Sequence, residues 1–137
     1  MDRKKTRQTL LLILLIINVV STSLHYTDNF LNNDKYPEPA WITPNGVYIS
    51  WIVLTLFGVA GYLLYVKDAF WAAYLCLAIY SITGISSTAH YFFPATETFS
   101  FKMNLLIWFD AIAGTSLLIF TLRSALLLQE WQKKYEV

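Results

Sequence analysis

The chain has 137 residues and a formal charge of +1, and is 56% hydrophobic, 17% aromatic and 14% charged, where soluble domains average about 25% charged residues. With a mean hydropathy of +0.47, that balance belongs to a membrane protein rather than a soluble domain. The near-neutral charge, with basic residues at segment ends and in no aromatic-interleaved patch, sets nucleic acid aside as a partner. The single cysteine, Cys76, lies in an apolar run, so an intrachain disulfide and a cysteine metal cluster are both excluded within one chain.

A spanning helix needs about 20 mostly apolar residues. Four stretches supply them, at about 8 to 27, 46 to 66, 69 to 91 and 102 to 126. In the first, Asn18, Ser21, Thr22 and His25 recur at helical spacing and form one polar stripe, as on a helix facing protein rather than lipid. A rival reading makes this segment a cleaved signal peptide, with DRKKTRQ as its basic start and Ser21 and Ser23 at the cleavage positions. The stripe favours retention. The loop that follows, NNDKYPEPAWITPNG, combines Pro37, Pro39 and Pro44 with Tyr36, Trp41 and Ile42. Such a loop suits the membrane interface, either as an aromatic anchor or as a cap on the bundle.

The second segment has no ionisable group between Val47 and Val66, and Trp51, Thr55, Gly58, Tyr62 and Tyr65 share one face, with Gly61 beside it. Small residues permit close helix approach, inside a bundle or between subunits. The tight polar turn VKD at 66 to 68 joins this helix to the third as an antiparallel hairpin. In the third, Thr83, Ser86 or Ser87, and His90 line one face, and Pro94 follows. The fourth carries Asp110 in MNLLIWFDAIAGTSLLIF, with Gly114, Thr115 and Ser116 as another small-residue surface.

Orientation follows from lysine and arginine, which are retained on the cytoplasmic side. Arg3, Lys4, Lys5, Arg7, Lys67, Arg123, Lys133 and Lys134 fall on one side; the other has only Lys35 and Lys102, with Asp28, Asp34, Glu38 and Glu97. Both termini are therefore expected inside, in a multi-pass protein of an inner or plasma membrane.

An ionisable group within a span costs a few kcal/mol and needs a partner or a purpose. Asp110 stands 13 residues before Arg123, roughly 20 Å from the inner boundary at the α-helical rise. The same count along the other helices places it level with Ser81 to Thr83 and with Val20 and Ser21, so it should face hydroxyls. Two polar stripes that each end in a histidine at the outer boundary then suggest a crevice opening outward, with Asp110 near its floor.

Several chemistries fit such a crevice. His25, Asp28, His90 and Asp110 are a ligand set for zinc or another divalent ion, although no His-x-x-x-His or Glu-x-x-His pair is present. The two histidines could bracket a haem. In the simplest alternative Asp28 orients His25, His90 bonds a loop carbonyl and serine or threonine satisfies Asp110. In a pocket, Asp110 and a histidine would act as proton donor, acceptor or counter-ion beneath aromatic walls from Tyr48, Trp51, Tyr91 and Trp108.

Three fragments, HYTDNF, AHYFFP and MNLLIWFDAIAG, together resemble a group of small bacterial four-helix membrane proteins without an assigned activity, over most of the chain. In that group the first motif often carries a further histidine, and glutamate usually stands where this chain has Asp110. Here Leu24, Tyr26 and Asn29 occupy the places of the extra histidines. The resemblance thus implies the fold and the buried acid, and weakens a histidine-rich metal centre. A looser likeness, in architecture alone, is to the EXPERA membrane proteins, which include sterol isomerases and sterol or drug binders. Fold analogy does not assign chemistry.

The expectation is therefore an all-α, single-domain, four-helix antiparallel transmembrane bundle over residues 1–137. Its outward-opening pocket, with His25, Asp28, His90, Asp110, Ser87, Trp51 and Trp108 as ligand-binding residues, takes a small lipophilic or amphipathic molecule. Two alternatives stand beside it. One is metal-dependent hydrolysis or isomerisation of a lipid, with His25, Asp28, His90 and Asp110 as ligands and a bound water as nucleophile. The other is a non-catalytic accessory subunit, partnered with its own copy or another membrane protein through the glycine-bearing faces.

Overall fold

A computed structural model describes residues 3–39, 41–93 and 98–132; Pro94, Glu97, Lys133 and Lys134 lie outside them. The described residues form four long helices, α1 (Arg3–Leu31), α2 (Pro44–Val66), α3 (Phe70–Ile85) and α4 (Phe101–Leu122). A 3-10 segment over Ser86–Phe92 continues α3, and a π turn over Arg123–Leu127 continues α4. With those continuations, four helices are long and apolar enough to cross a membrane.

The helix ends follow from local chemistry. Helix α1 outruns the expected 8 to 27 at both ends, because its polar ends lower the hydropathy of a window without interrupting backbone bonding. Pro44 opens α2 at a position where its missing N–H is not needed, and Thr43 Oγ1 accepts from Gly46 N at 3.1 Å as the cap. Ser100 caps α4 likewise, accepting from Met103 N at 3.2 Å.

Helix α3 tightens where three hydroxyl residues follow one another. Ser86 Oγ donates to Thr83 O at 3.0 Å and Thr88 Oγ1 to Ile85 O at 2.9 Å, bonds that compete with the α pattern. In a 3-10 helix residues three apart eclipse, so Ser87 and His90 both turn inward while Ser86 is exposed.

Each helix packs on its chain neighbours and α1 closes the bundle against α4. One end gathers the start of α1, the α2–α3 turn and the end of α4, joined by Lys4 Nζ to Asp68 Oδ2 at 2.7 Å and Arg7 Nε to Glu130 Oε1 at 2.5 Å. The other gathers His25, His90, the α1–α2 loop and Lys102. Successive helices therefore run in alternating directions. The core also divides along the bundle axis. Leu11, Leu15, Leu77, Leu117 and Phe120 fill the half near Arg7, and Ser21, Thr22, Thr83, Ser87 and Asp110 are buried in the other.

Glycine sets the closest helix contact. A Cβ at Gly84 would lie 2.5 Å from the Asp110 carbonyl oxygen, and one at Gly114 would lie 2.6 Å from that of Ser81. Helices α3 and α4 thus touch backbone to backbone beside the buried acid. Gly58 and Gly61 of α2 make room for Tyr80 and Leu77 of α3, which places their packing inside the bundle.

Candidate functional site: a cavity at the histidine end

Asp110 is 0% exposed. Its Oδ1 accepts from Ser21 Oγ at 2.9 Å and its Oδ2 from Ser87 Oγ at 2.6 Å, so one carboxylate ties α4 to α1 and to the continuation of α3. The expectation that it faces hydroxyls holds for Ser21. On the third helix the partner is Ser87 rather than Ser81 to Thr83, because the Gly84–Gly114 contact sets Gly84 at the level of Asp110 and Ser87 stands one turn further out. Asn18 reinforces the α1–α4 seam, donating from Nδ2 to Ala113 O at 2.8 Å.

The outer loop folds over the histidines. Tyr36 is buried, with its ring 5.6 Å from His25 and 4.9 Å from His90, and the histidine rings lie 5.4 Å apart. His90 Nδ1 lies 3.2 Å from Pro37 O and its Nε2 lies 3.4 Å from Asn29 Nδ2. A neutral ring protonated on Nδ1 satisfies both contacts, donating to the carbonyl and accepting from the amide. Asn29 Nδ2 also donates to Glu38 Oε1 at 2.6 Å.

His25 is held differently. The residue is 2% exposed, and its Nδ1 is buried without a hydrogen-bond partner. The pairing with Asp28 does not form. Asp28 instead accepts from Tyr36 Oη at 2.8 Å, from Asn32 Nδ2 at 3.2 Å, and forms an ion pair with Lys102. Spacing of i, i+3 puts two side chains on one side of a helix without making them meet, and the partners from the loop and α4 draw Asp28 away from the imidazole.

A half-open cavity of about 400 Å³ lies beside this cluster, between the end of α1, the loop, the start of α2 and the 3-10 segment. Its polar wall includes His25, Asn29, Glu38, Ser87 and His90; its apolar wall includes Trp41, Ile42, Val47 and Phe93. The volume lies in the range of small-molecule sites, about 300–1,000 Å³.

Of the residues expected to bind a ligand, His25, His90 and Ser87 line this cavity. Asp110 reaches it only through Ser87, whose hydroxyl it holds. Asp28 lines a separate hollow of about 220 Å³ with Lys35 and Lys102. Trp51 stands away from the cavity, donating from Nε1 to Thr22 Oγ1 at 3.0 Å. Trp108 is 55% exposed with its ring 6.2 Å from that of Tyr91, so it faces outward. The aromatic wall comes from Tyr26, Trp41 and Phe93 instead of Tyr48, Trp51, Tyr91 and Trp108.

The four expected metal ligands do not converge. Among the described residues no three His, Cys, Asp or Glu side chains form a metal-holding group. Asp28 and Asp110 are committed to different partners, and only the two histidines adjoin. Sequence reasoning missed Tyr36, Glu38 and Asn29 as site residues. The signal for Asn29 was its i+4 spacing from His25; for the others it was the Tyr-Pro-Glu-Pro run, whose prolines restrict the loop.

The molecule defined by these features is an all-helical chain with four membrane-length apolar helices and a polar cavity at one end. No family model, curated protein or solved structure matches it.

Proposed function

We propose that this chain is a multi-pass protein of an inner or plasma membrane, related to the small bacterial four-helix proteins it resembles, and that its cavity binds a small lipophilic or amphipathic molecule from the outer side. The bilayer reading is supported by the outward faces of the helices. Ile52, Val53, Leu56 and Leu63 on α2 and Ile13, Ile16 and Val20 on α1 are exposed, an apolar surface far larger than soluble monomers tolerate. The distribution of Lys and Arg supports cytoplasmic termini, with Arg3, Lys4, Lys5 and Arg7 at one end of the bundle and His25 at the other.

One observation carries the binding reading: a cavity of about 400 Å³ whose mostly apolar wall also carries His25, His90, Asn29, Glu38 and Ser87. In this reading His25 meets the polar group of the ligand, and His90 is the second proton-active ring, fixed by Pro37 and Asn29. Ser87 forms the floor with Asp110 behind it. Asp28 positions Tyr36, which packs against both histidine rings.

Saturable binding of decanol to the protein in lipid nanodiscs, read by calorimetry, tests this. We expect His25→Phe to weaken it by about tenfold, the loss of one buried hydrogen bond, and Ala89→Trp, which fills the cavity, to abolish it. Equal binding by both variants and the parent protein overturns the reading.

A further inference from the structure

The cavity carries a charge preference. Among its described lining residues Glu38 is the only carboxylate, and no lysine or arginine faces it. The two lysines at this end, Lys35 and Lys102, line the separate hollow with Asp28. Glu38 Oε1 accepts from Asn29 Nδ2, which also faces His90 Nε2 at 3.4 Å, so the carboxylate is fixed next to the histidine pair. His25 lines the same wall. A carboxylate acceptor and the rings of Trp41, Tyr26 and Phe93 complement a donor-rich cation with an apolar tail.

We propose that the cavity selects a protonated lipophilic amine, its ammonium held by Glu38 and its tail against Trp41, Ile42 and Phe93. An anionic amphiphile of the same length places its carboxylate against that of Glu38 and is rejected. An alcohol donates its single O–H to the Glu38 carboxylate without the attraction of opposite charges. This assignment rests on the cavity being a ligand site, as proposed above, and adds the class of ligand.

Decylammonium, decanol and decanoate, equal in tail and different in head charge, separate the two ideas when titrated into the full chain in neutral-lipid nanodiscs. A charge-assisted hydrogen bond gives decylammonium about tenfold tighter binding than decanol, with decanoate weakest. In Glu38→Gln the ratio of ammonium to alcohol affinity falls to about one, and Glu38→Asp restores part of it. Circular dichroism melts confirm that both variants are folded. An unchanged ratio in folded Glu38→Gln, or decanoate binding as tightly as decylammonium, overturns the amine assignment. In that case saturable decanol binding that Ala89→Trp removes still upholds the pocket. Failure of all three probes to bind saturably overturns both.

Discussion

Asp110 accepts from one hydroxyl on α1 and one beyond α3, so its removal disconnects three helices at one point. Asp110→Ala should lower stability by about 2–3 kcal/mol through the lost bonds and the void. Asp110→Asn keeps the volume and one acceptor and should lose less. Reversible denaturant unfolding in detergent measures both, and equal stability of all three proteins contradicts the assigned role. At Tyr36, burial first and then the bond to Asp28 push the phenol above its ordinary value, which is about 10. Its stabilising contribution is therefore full below that ordinary value and is lost as pH rises toward the higher folded value. Tyr36→Phe should cost about 1 kcal/mol at neutral pH while melting less steeply than the parent above about pH 10. A parallel alkaline decline in both proteins counts against this. The polar positions were legible residue by residue, but their partners were not. Helical spacing put His25 and Asp28 on one side of α1 and could not register that Tyr36 and Lys102, distant in sequence, compete for the carboxylate.

Helices α3 and α4 touch through glycine, and that contact sets the level at which Ser87 meets Asp110. Gly84→Ala and Gly114→Ala each drive a methyl into a backbone oxygen of the opposing helix. Each should cost about 1–3 kcal/mol by overpacking and also weaken decanol binding, because Ser87 forms the cavity floor. Gly46→Ala, whose added methyl would meet only Thr43 Oγ1 at 3.1 Å, should melt close to the parent. Thermal melts with parallel titrations check this, and melts for Gly84→Ala and Gly114→Ala as mild as that of Gly46→Ala contradict it. The apolar runs made all four helices legible, since length and hydropathy alone identify a membrane-length segment. The 3-10 turn beyond α3 was not, because it arises from serine and threonine hydroxyls bonding back to carbonyls. Counting residues along level helices stopped about one turn short of Ser87, because the Gly84–Gly114 contact sets Gly84 at the level of Asp110.

Across the whole molecule the two ends are built differently. At the end opposite the cavity the chain beyond α4 folds back, with Gln129 in the left-handed region at φ 46°. Glu130 joins Arg7 while accepting from Tyr65 Oη at 2.5 Å and Ser124 Oγ at 2.8 Å. The Arg7 guanidinium lies 4.4 Å from the centre of the Phe120 ring. Glu130→Ala should cost about 1–3 kcal/mol, less than a fully buried pair because both groups keep some solvent. Arg7→Ala in the Glu130→Ala background should then add little. Additive losses in that double-mutant cycle refute a coupled pair. Arg7 read in the sequence only as a topology signal; its pairing depends on a turn-back that no periodicity encodes. The outer loop is the same kind of case. Its prolines and aromatics marked it as interfacial, whereas the packing of Tyr36 against both histidines and the exposure of Glu38 to the cavity follow from tertiary contacts.

The most direct measurement is photolabelling of the full chain in native membranes with a diazirine-bearing decyl alcohol, followed by mapping of the labelled peptides. The account predicts labels that saturate, that decanol competes away, and that fall on the end of α1, the loop before Pro44, the start of α2 and the 3-10 segment around His90. Labels confined to the outward face of α2 at Ile52, Leu56 and Leu63, without saturation or competition, would contradict it.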